Sequence, residues 1–285
     1  MLEKSRDSAF PSSTSHMVSV VIPTFRARTT IANCLNSTLA ACPPDSEIIV
    51  VDSLSDDGTA ELAKGIATVI SAPSSMTRAR CIGTLAATGT YILHLDADQT
   101  LARDSINRCL ATGKDAVVLG EESLGTGVVA RINRLDKRLS QEKWAENLAS
   151  KGGPLVPRFY RRACYLKALQ RLPAPIIDQK PSQPHEDALL FRLSGIAPRS
   201  VGFVEHAIFH YEVPSVRRYI AKWYERGRTA GNGKNREVDW IIRTQGGRGG
   251  GIAIGIGSLP ARALRGLPFY FGYGLAHHSG GGESV

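Results

Sequence analysis

Apolar and polar positions alternate in blocks along the first part of the chain. Short apolar runs of strand length are each followed by a stretch in which apolar residues recur at helical spacing. The apolar runs predict strands at residues 18–22, 47–52, 67–71, 91–95 and 116–119. The stretches between them predict helices at residues 29–41, 57–67, 75–87 and 103–112. Strands that alternate with helices in this way indicate an α/β fold, with a doubly wound, mostly parallel sheet flanked by helices.

The pattern becomes less regular beyond residue 120. A long polar stretch predicts a helix at residues 128–148, and a proline-rich region at 154–184 predicts loops around a short strand and helix. Such irregular regions often carry substrate-specific insertions. A helix at residues 188–193 and a strand at 202–211 follow. The sequence therefore predicts a disordered lead (1–16), one α/β domain (17–211) and a C-terminal helical extension (212–285).

The C-terminal extension carries most of the basic excess. The chain has a net charge of +9, and residues 211–285 hold eleven Lys/Arg against five Asp/Glu, a net +6. A helix predicted at 214–230 combines Trp223 and Tyr224 with several arginines, and the apolar stretch 252–276 is interrupted by Pro260, Arg262, Arg265 and Pro268. That stretch is too broken to span a bilayer. The composition instead favours an interfacial segment on an anionic membrane surface, with packing onto the domain or dimerisation as the alternatives.

The cysteines and the N-terminal residues indicate the cellular compartment in which the protein is expected. The five cysteines of the 285-residue chain are scattered, with no Cys-x-x-Cys pair, which argues against a disulfide framework or a zinc site. The serine-rich residues 1–16 have no apolar core, so a signal peptide is not expected. No zinc, helix-turn-helix or aromatic RNA-binding motif supports a nucleic-acid partner. We expect a cytoplasmic protein, attached peripherally to the inner face of the membrane.

Two acids follow the strand predicted at residues 91–95. Asp96 and Asp98, separated only by Ala97, stand where the carboxyl end of a buried strand opens into a cleft. Two carboxylates this close repel one another unless a cation lies between or beside them, and a hard divalent cation that carries phosphate oxygens is one common solution. The alternative is a surface turn whose acids cap the next helix.

Four motifs in a fixed order resolve that alternative. Residues 18–25 (VSVVIPTF), residues 50–59 (VVDSLSDDGT), the pair Ala79-Arg80 and residues 91–98 (YILHLDAD) resemble family 2 glycosyltransferases of the GT-A fold. The resemblance covers roughly residues 18–211. It implies a GT-A type, Rossmann-like sheet and an inverting, metal-dependent hexosyltransferase activity. It also implies a UDP- or GDP-linked sugar donor and a hydroxyl acceptor, of which a lipid-linked or cell-envelope glycan is one class.

The resemblance also assigns residues to the donor. It implies that Pro23 and Thr24 line the nucleotide pocket, that Asp52 accepts a hydrogen bond from the base, and that Arg80 lies near the phosphates or the base. Arg78 is a candidate helper. Asp96 would bind the ribose side of the nucleotide, and Asp98 would bind Mg²⁺ or Mn²⁺, which neutralises the diphosphate leaving group. The family more often has a second acid after Asp52, where this chain has Ser53.

Two further sites come from the later part of the resemblance. The pair Glu186-Asp187 matches the family's Glu-Asp pair, which implies that Asp187 is the catalytic base and that Glu186 lies nearby for the acceptor. The alternative is that the two acids only stabilise a helix N-terminus. His210 is a candidate second metal ligand or diphosphate contact, although a single histidine on an apolar strand also fits a core position.

Two other classes of function would share part of this sequence pattern. A nucleotidyltransferase would share the nucleotide-binding α/β layout, but it is expected to carry a glycine-rich basic loop after the first strand, and residues 23–26 (PTFR) contain no glycine. A non-catalytic nucleotide-binding or membrane adaptor would not need Asp96, Asp98 and Asp187 together. The glycosyltransferase interpretation therefore accounts for more of the sequence.

Overall fold

Helices and strands alternate through the part of the chain that the computed structural model describes, which comprises residues 17–147, 156–172, 177, 184–211, 215–232, 267–268 and 270. The predicted lead (1–16) and most of the apolar stretch 252–276 lie outside these residues. The strands are β1 Val18–Thr24, β2 Ser46–Asp52, β3 Thr68–Ser71, β4 Tyr91–His94, β5 Gln99–Leu101, β6 Ala116–Leu124, β7 Phe159–Arg161 and β8 Val201–Tyr211. The helices are α1 Ile31–Ala41, α2 Thr59–Ala63, α3 Met76–Ala86, α4 Ser105–Ala111, α5 Val128–Asn147, α6 Arg162–Arg171, α7 Pro184–Leu193 and α8 Val216–Asn232.

The described strands form one eight-stranded sheet in the order β3-β2-β1-β4-β7-β6-β8-β5. The strands β3, β2, β1 and β4 are parallel to one another, and β6 and β8 form a second parallel pair. The fold is the α/β architecture, a sheet flanked by helices, that the sequence predicted.

The sheet is mixed, and most of its strand pairs are parallel, as in the predicted mostly parallel sheet. Strand β7 runs antiparallel to both β4 and β6, and β5 runs antiparallel to β8. Strand β5 was not predicted because three residues after the acidic pair are too few to show a period of two. The strand predicted at 116–119 was too short, since β6 continues to Leu124.

The core lies on both faces of β1. All seven residues of this strand are buried, as expected for a central parallel strand covered on both faces. One face packs with Ile31 and Leu35 of α1. The other face packs beneath α3, where a Cβ at Gly83 would lie only 2.3 Å from Val21. Gly83 therefore lets α3 approach the sheet closely, and α3 is the helix that carries Arg80.

Helix α8 packs partly against the domain. The Tyr219 hydroxyl donates a hydrogen bond of 2.8 Å to the Asn133 side chain of α5, and the Trp223 ring packs edge-on against Tyr219. Val216 and Ile220 of the same helix remain exposed. The apolar side of α8 is thus divided between domain packing and solvent. No helix among the described residues is long and apolar enough to cross a membrane.

Candidate functional site

The carboxyl ends of three parallel strands meet at one edge of the sheet. Thr24, the last residue of β1, lies beside Asp52, the last residue of β2, in the strand register. Strand β4 ends next to β1 at His94, and Asp96 and Asp98 follow it. The carboxyl edge of an open α/β sheet is where ligands bind. The chain thus brings most of the residues predicted for the donor to one place.

Asp52 is buried and already has partners within the protein. Its carboxylate accepts hydrogen bonds from the Thr24 hydroxyl at 2.9 Å and from the Ser55 backbone and hydroxyl at 2.8 and 2.6 Å. Only 1% of the residue is exposed. Asp52 therefore fixes the loop after β2. Its Oδ2 atom accepts only one of these hydrogen bonds and keeps a lone pair for a base, whose binding stays a prediction. The neighbouring Ser53 hydroxyl lies 2.7 Å from the Ser74 hydroxyl.

Arg80 joins two of the predicted acids. Its side chain is 5% exposed, and its two terminal nitrogens lie 2.7 Å from Asp96 and 2.5 Å from Asp187. Burial opposes the charge on Arg80, but Asp187 and Asp96 more than offset this, so the pKa of the guanidinium is raised. The positive charge of Arg80 is thus balanced within the protein by Asp96, the first acid after β4, and by Asp187, the candidate base. Arg78, the candidate helper, is exposed on the same helix.

A second arginine, Arg158, completes the environment of Asp96. It directly precedes β7 and donates a hydrogen bond of 3.1 Å to the Asp96 oxygen that Arg80 leaves unoccupied. Burial alone would raise the pKa of Asp96, but Arg158 and Arg80 outweigh it and hold the pKa well below the usual range. Asp96 is therefore a carboxylate fixed by two guanidinium groups, and it does not cap the following helix α4.

Arg158 was missed by sequence reasoning. It reaches Asp96 because β7 pairs antiparallel with β4, with Arg158 accepting a backbone hydrogen bond of 2.9 Å from His94. The only local signal was a basic residue at the start of the short strand predicted at residues 158–160. That signal does not reveal the partner strand.

The two acids of the Glu186-Asp187 pair face different surroundings. Both lie in the first turn of α7, which begins at Pro184, earlier than the predicted helix at 188–193. The Asp187 side chain is 35% exposed and contacts Arg80. Glu186 is 1% exposed, and its carboxylate accepts a hydrogen bond from the Thr77 hydroxyl. The structure therefore brings Asp187, but not Glu186, to the surface of the cleft.

Asp98 and His210 lie side by side. The His210 Nε2 atom is 3.2 Å from an Asp98 carboxylate oxygen, and its Nδ1 atom is 3.0 Å from Glu121. The contact follows from the pairing of β5 with β8, which places Gln99 opposite His210. Burial alone would lower the pKa of His210, but hydrogen bonds to Asp98 and Glu121 raise it to about 9.

The Asp98 and His210 pair places an oxygen and a nitrogen of the kinds that bind divalent cations next to each other. Asp98 is 52% exposed, which leaves its carboxylate accessible from the cleft. No three His, Cys, Asp or Glu side chains in the described part of the chain are grouped to hold a metal. The two residues therefore fit a cation that takes its other ligands from water and a bound diphosphate, as Mg²⁺ and Mn²⁺ commonly do.

A cavity lies beside the ion pair of Arg80 with Asp187 and includes Glu121, the second partner of His210. It has a volume of about 200 Å³, and its walls include Arg80, Glu121, Arg158, Tyr160, Tyr165 and Asp187. The cavity combines charged groups with aromatic side chains, and Asp187 is one of its lining residues. Such a mixture suits a polar ligand that also presents apolar faces.

The family comparison agrees with the motifs. The model of the family described as "Glycosyl transferase family 2" matches residues 19–122, which hold the carboxyl ends of β1, β2 and β4 and the acids after β4. No curated protein matches the chain in sequence.

Comparison with solved structures gives the same fold. Residues 1–349 of S. aureus TarS, in complex with UDP, are 16% identical with a TM-score of 0.53, covering 92% of this chain and 90% of that one. The chain spans only 55% of a longer TarS structure. Glucosyl-3-phosphoglycerate synthase from Mycobacterium tuberculosis is 18% identical with a TM-score of 0.52, covering 86% and 87% of the two chains. At these identities the likeness establishes the fold alone.

Proposed function

We propose that this chain is a family 2 glycosyltransferase that transfers a sugar from a nucleotide-diphospho-sugar to a hydroxyl acceptor with inversion at the anomeric carbon. The observation that carries the proposal is one connected group of side chains at the carboxyl edge of the sheet. In it Asp98 lies beside His210, and Arg80 joins Asp96 to Asp187. The proposed leaving-group and acceptor sides of the reaction thus share one cleft.

The donor side would be formed by the ends of β1, β2 and β4. Pro23, Thr24 and Asp52 would form the floor of the nucleotide pocket, with Asp52 acting through the loop that it holds. Arg80 and Arg158 would fix Asp96 so that its position relative to the ribose is constant. Two of the similar solved structures hold UDP, which supports testing uridine donors first.

Asp98 and His210 would bind Mg²⁺ or Mn²⁺ together with the diphosphate of the donor. The bound cation would offset the negative charge that develops on the departing nucleoside diphosphate. Support comes from the adjacent carboxylate and imidazole, and from the glucosyl-3-phosphoglycerate synthase structure, which contains Mn²⁺.

Asp187 would take the proton of the acceptor hydroxyl. As the new bond forms between the acceptor oxygen and the anomeric carbon, the bond from that carbon to the diphosphate oxygen breaks, and its electron pair leaves with the nucleoside diphosphate. Asp187 suits this role because it is the exposed acid of the pair on α7 and borders the cavity. A positioned base of this kind typically contributes a factor of about 10² to 10⁴ in rate.

The C-terminal part would bring the enzyme to the cytoplasmic face of a membrane, and so to a lipid-linked or membrane-borne acceptor. The support is the basic excess of residues 211–285 and the exposed Val216 and Ile220 on a helix rich in arginine. Each basic residue near an anionic surface contributes about 1 kcal/mol, so a few suffice for reversible attachment.

The decisive experiment incubates the purified protein with a panel of UDP- and GDP-sugars, with Mn²⁺, with Mg²⁺ and with EDTA. We expect release of nucleoside diphosphate from one donor class only, and only with a divalent cation. The Asp187→Asn variant is the matched control, because it removes the base while leaving the donor side intact. Release of inorganic pyrophosphate in place of a nucleoside diphosphate would instead identify a nucleotidyltransferase.

A further inference from the structure

Glu121 contacts the imidazole of His210 on the side away from Asp98. One Glu121 carboxylate oxygen lies 3.0 Å from His210 Nδ1 and 2.6 Å from the Lys137 ammonium of α5. The side chains of Glu121, Lys137 and His210 are 21%, 20% and 18% exposed. The imidazole is thus held between two carboxylates, one of which is itself fixed by the half-buried Lys137.

The backbone around Glu121 is shaped for this contact. The pairing of β6 with β8 shifts register between Leu119 and Glu121, so that β8 bulges beside this point. A Cβ at Gly120 would lie 3.1 Å from the backbone of Glu205 and of His206, so the close approach of the two strands favours glycine. The Gln141 side chain of α5 also donates a 2.7 Å hydrogen bond to the Glu121 carbonyl. Contacts from two elements therefore fix Glu121.

We propose that Glu121 is a positioning residue that orients His210 for a divalent cation. By accepting a hydrogen bond from Nδ1–H, Glu121 favours the tautomer whose Nε2 lone pair is available to a cation bound beside Asp98. Histidines that bind metals usually donate their other ring N–H to such a partner, and loss of the partner typically weakens metal affinity about 10- to 100-fold. The inference rests on the proposed function, because it takes His210 and Asp98 as the cation's ligands.

The chain offers a matched control in the next residue. Glu122 also contacts a histidine, His206, but that histidine is 66% exposed and lies on the bulge of β8. Glu122→Gln therefore removes the negative charge from a glutamate–histidine contact on the same strand without touching His210.

The test measures Mn²⁺ binding by electron paramagnetic resonance, with UDP and with GDP in separate titrations and with protein-free nucleotide as the blank. We expect Glu121→Leu to raise the Mn²⁺ dissociation constant about 10- to 100-fold and Glu122→Gln to change it less than about twofold. Nitrogen NMR of histidine-labelled protein with Mg²⁺ and the same nucleotide gives a second readout. The wild type should show the Nδ1–H tautomer at His210, assigned with His210→Gln, and Glu121→Leu should show a mixture.

If Glu121→Leu does not fold, the double variant Glu121→Met/Lys137→Met is measured in its place. An apolar pair of similar volume often replaces a buried ion pair without loss of stability. The double variant should weaken Mn²⁺ binding at least about tenfold. If the folded Glu121 variants bind Mn²⁺ within twofold of the wild type while His210→Gln binds it more weakly, Glu121 does not position His210. The assignment of His210 as a metal ligand would then still stand. If His210→Gln itself binds Mn²⁺ normally, the proposed ligand set is wrong.

Discussion

The guanidinium of Arg80 lies 2.5 Å from the carboxylate of Asp187, and its other terminal nitrogen contacts Asp96. Residues from α3, from the turn after β4 and from α7 are therefore held by one buried side chain. This contact links the proposed donor side of the cleft to the proposed acceptor side.

Replacement of Arg80 tests that link. Arg80→Met should lower the free energy of unfolding by roughly 3 to 5 kcal/mol, because removal of one partner of a buried ion pair leaves the other carboxylates short of a counter-charge. Urea denaturation gives this value. Arg78→Met is the control, since Arg78 is exposed on the same helix. An equal loss of unfolding free energy in both variants would mean that the ion pairs of Arg80 make no specific contribution to stability.

Asp187 and Glu186 should differ in kinetics. Asp187→Asn should lower turnover by about 10² to 10⁴, since an amide does not accept the acceptor's proton, while the Michaelis constant for the donor changes little. Glu186→Gln should chiefly affect stability, because Glu186 is buried against Thr77. Steady-state kinetics and thermal denaturation separate the two effects. Wild-type turnover in Asp187→Asn would exclude this residue as the base.

Asp98 should make diphosphate binding depend on a cation. A diphosphate beside Asp96 and Asp98 is repelled unless a divalent cation lies between them, so we expect Asp98→Asn to weaken Mn²⁺-dependent binding of UDP or GDP severely. Isothermal titration calorimetry with Mn²⁺ and with EDTA checks this. Asp104→Asn is a suitable control because the Asp104 side chain is 67% exposed and forms an ion pair of 3.1 Å with Arg108 of α4. Equal affinity with and without Mn²⁺ in the wild type would contradict the prediction.

Asp52 should act mainly through the loop that follows β2. Asp52→Ala removes the acceptor for Thr24 and Ser55, and each buried group left without a partner costs about 1 to 3 kcal/mol. We therefore expect a clear loss of stability in denaturant, with the ratio of UDP to GDP affinity unchanged. A changed ratio at unchanged stability would show instead that Asp52 contacts the base.

Membrane attachment is tested by co-sedimentation with anionic liposomes. The full-length protein should pellet at low salt and dissociate as salt rises, since screening weakens the attraction between basic residues and the surface. Removal of residues 246–285 should reduce pelleting, and neutral liposomes provide the blank. If the truncated protein pellets as well as the full chain, the C-terminal segment does not hold the enzyme on membranes.

The sequence by itself determined the parallel half of the sheet and the position of the first acids. Strands β1, β2 and β4 were predictable because each is a short apolar run bounded by turn residues, and hydrophobic periodicity is a local property. The order of the motifs then indicated the family. Since parallel strands end at a common edge, the proximity of Thr24, Asp52 and Asp96 also followed from the sequence.

Only the tertiary structure decided how these acids are held. Arg158 reaches Asp96 through the antiparallel pairing of β7, and His210 reaches Asp98 through the short strand β5. Strand pairing and register join residues far apart in the chain, and a three-residue strand has too little periodicity to reveal its partner. Packing of α7 against α3 likewise orients Glu186 toward Thr77 and Asp187 toward Arg80. The sequence of neither helix determines that packing alone.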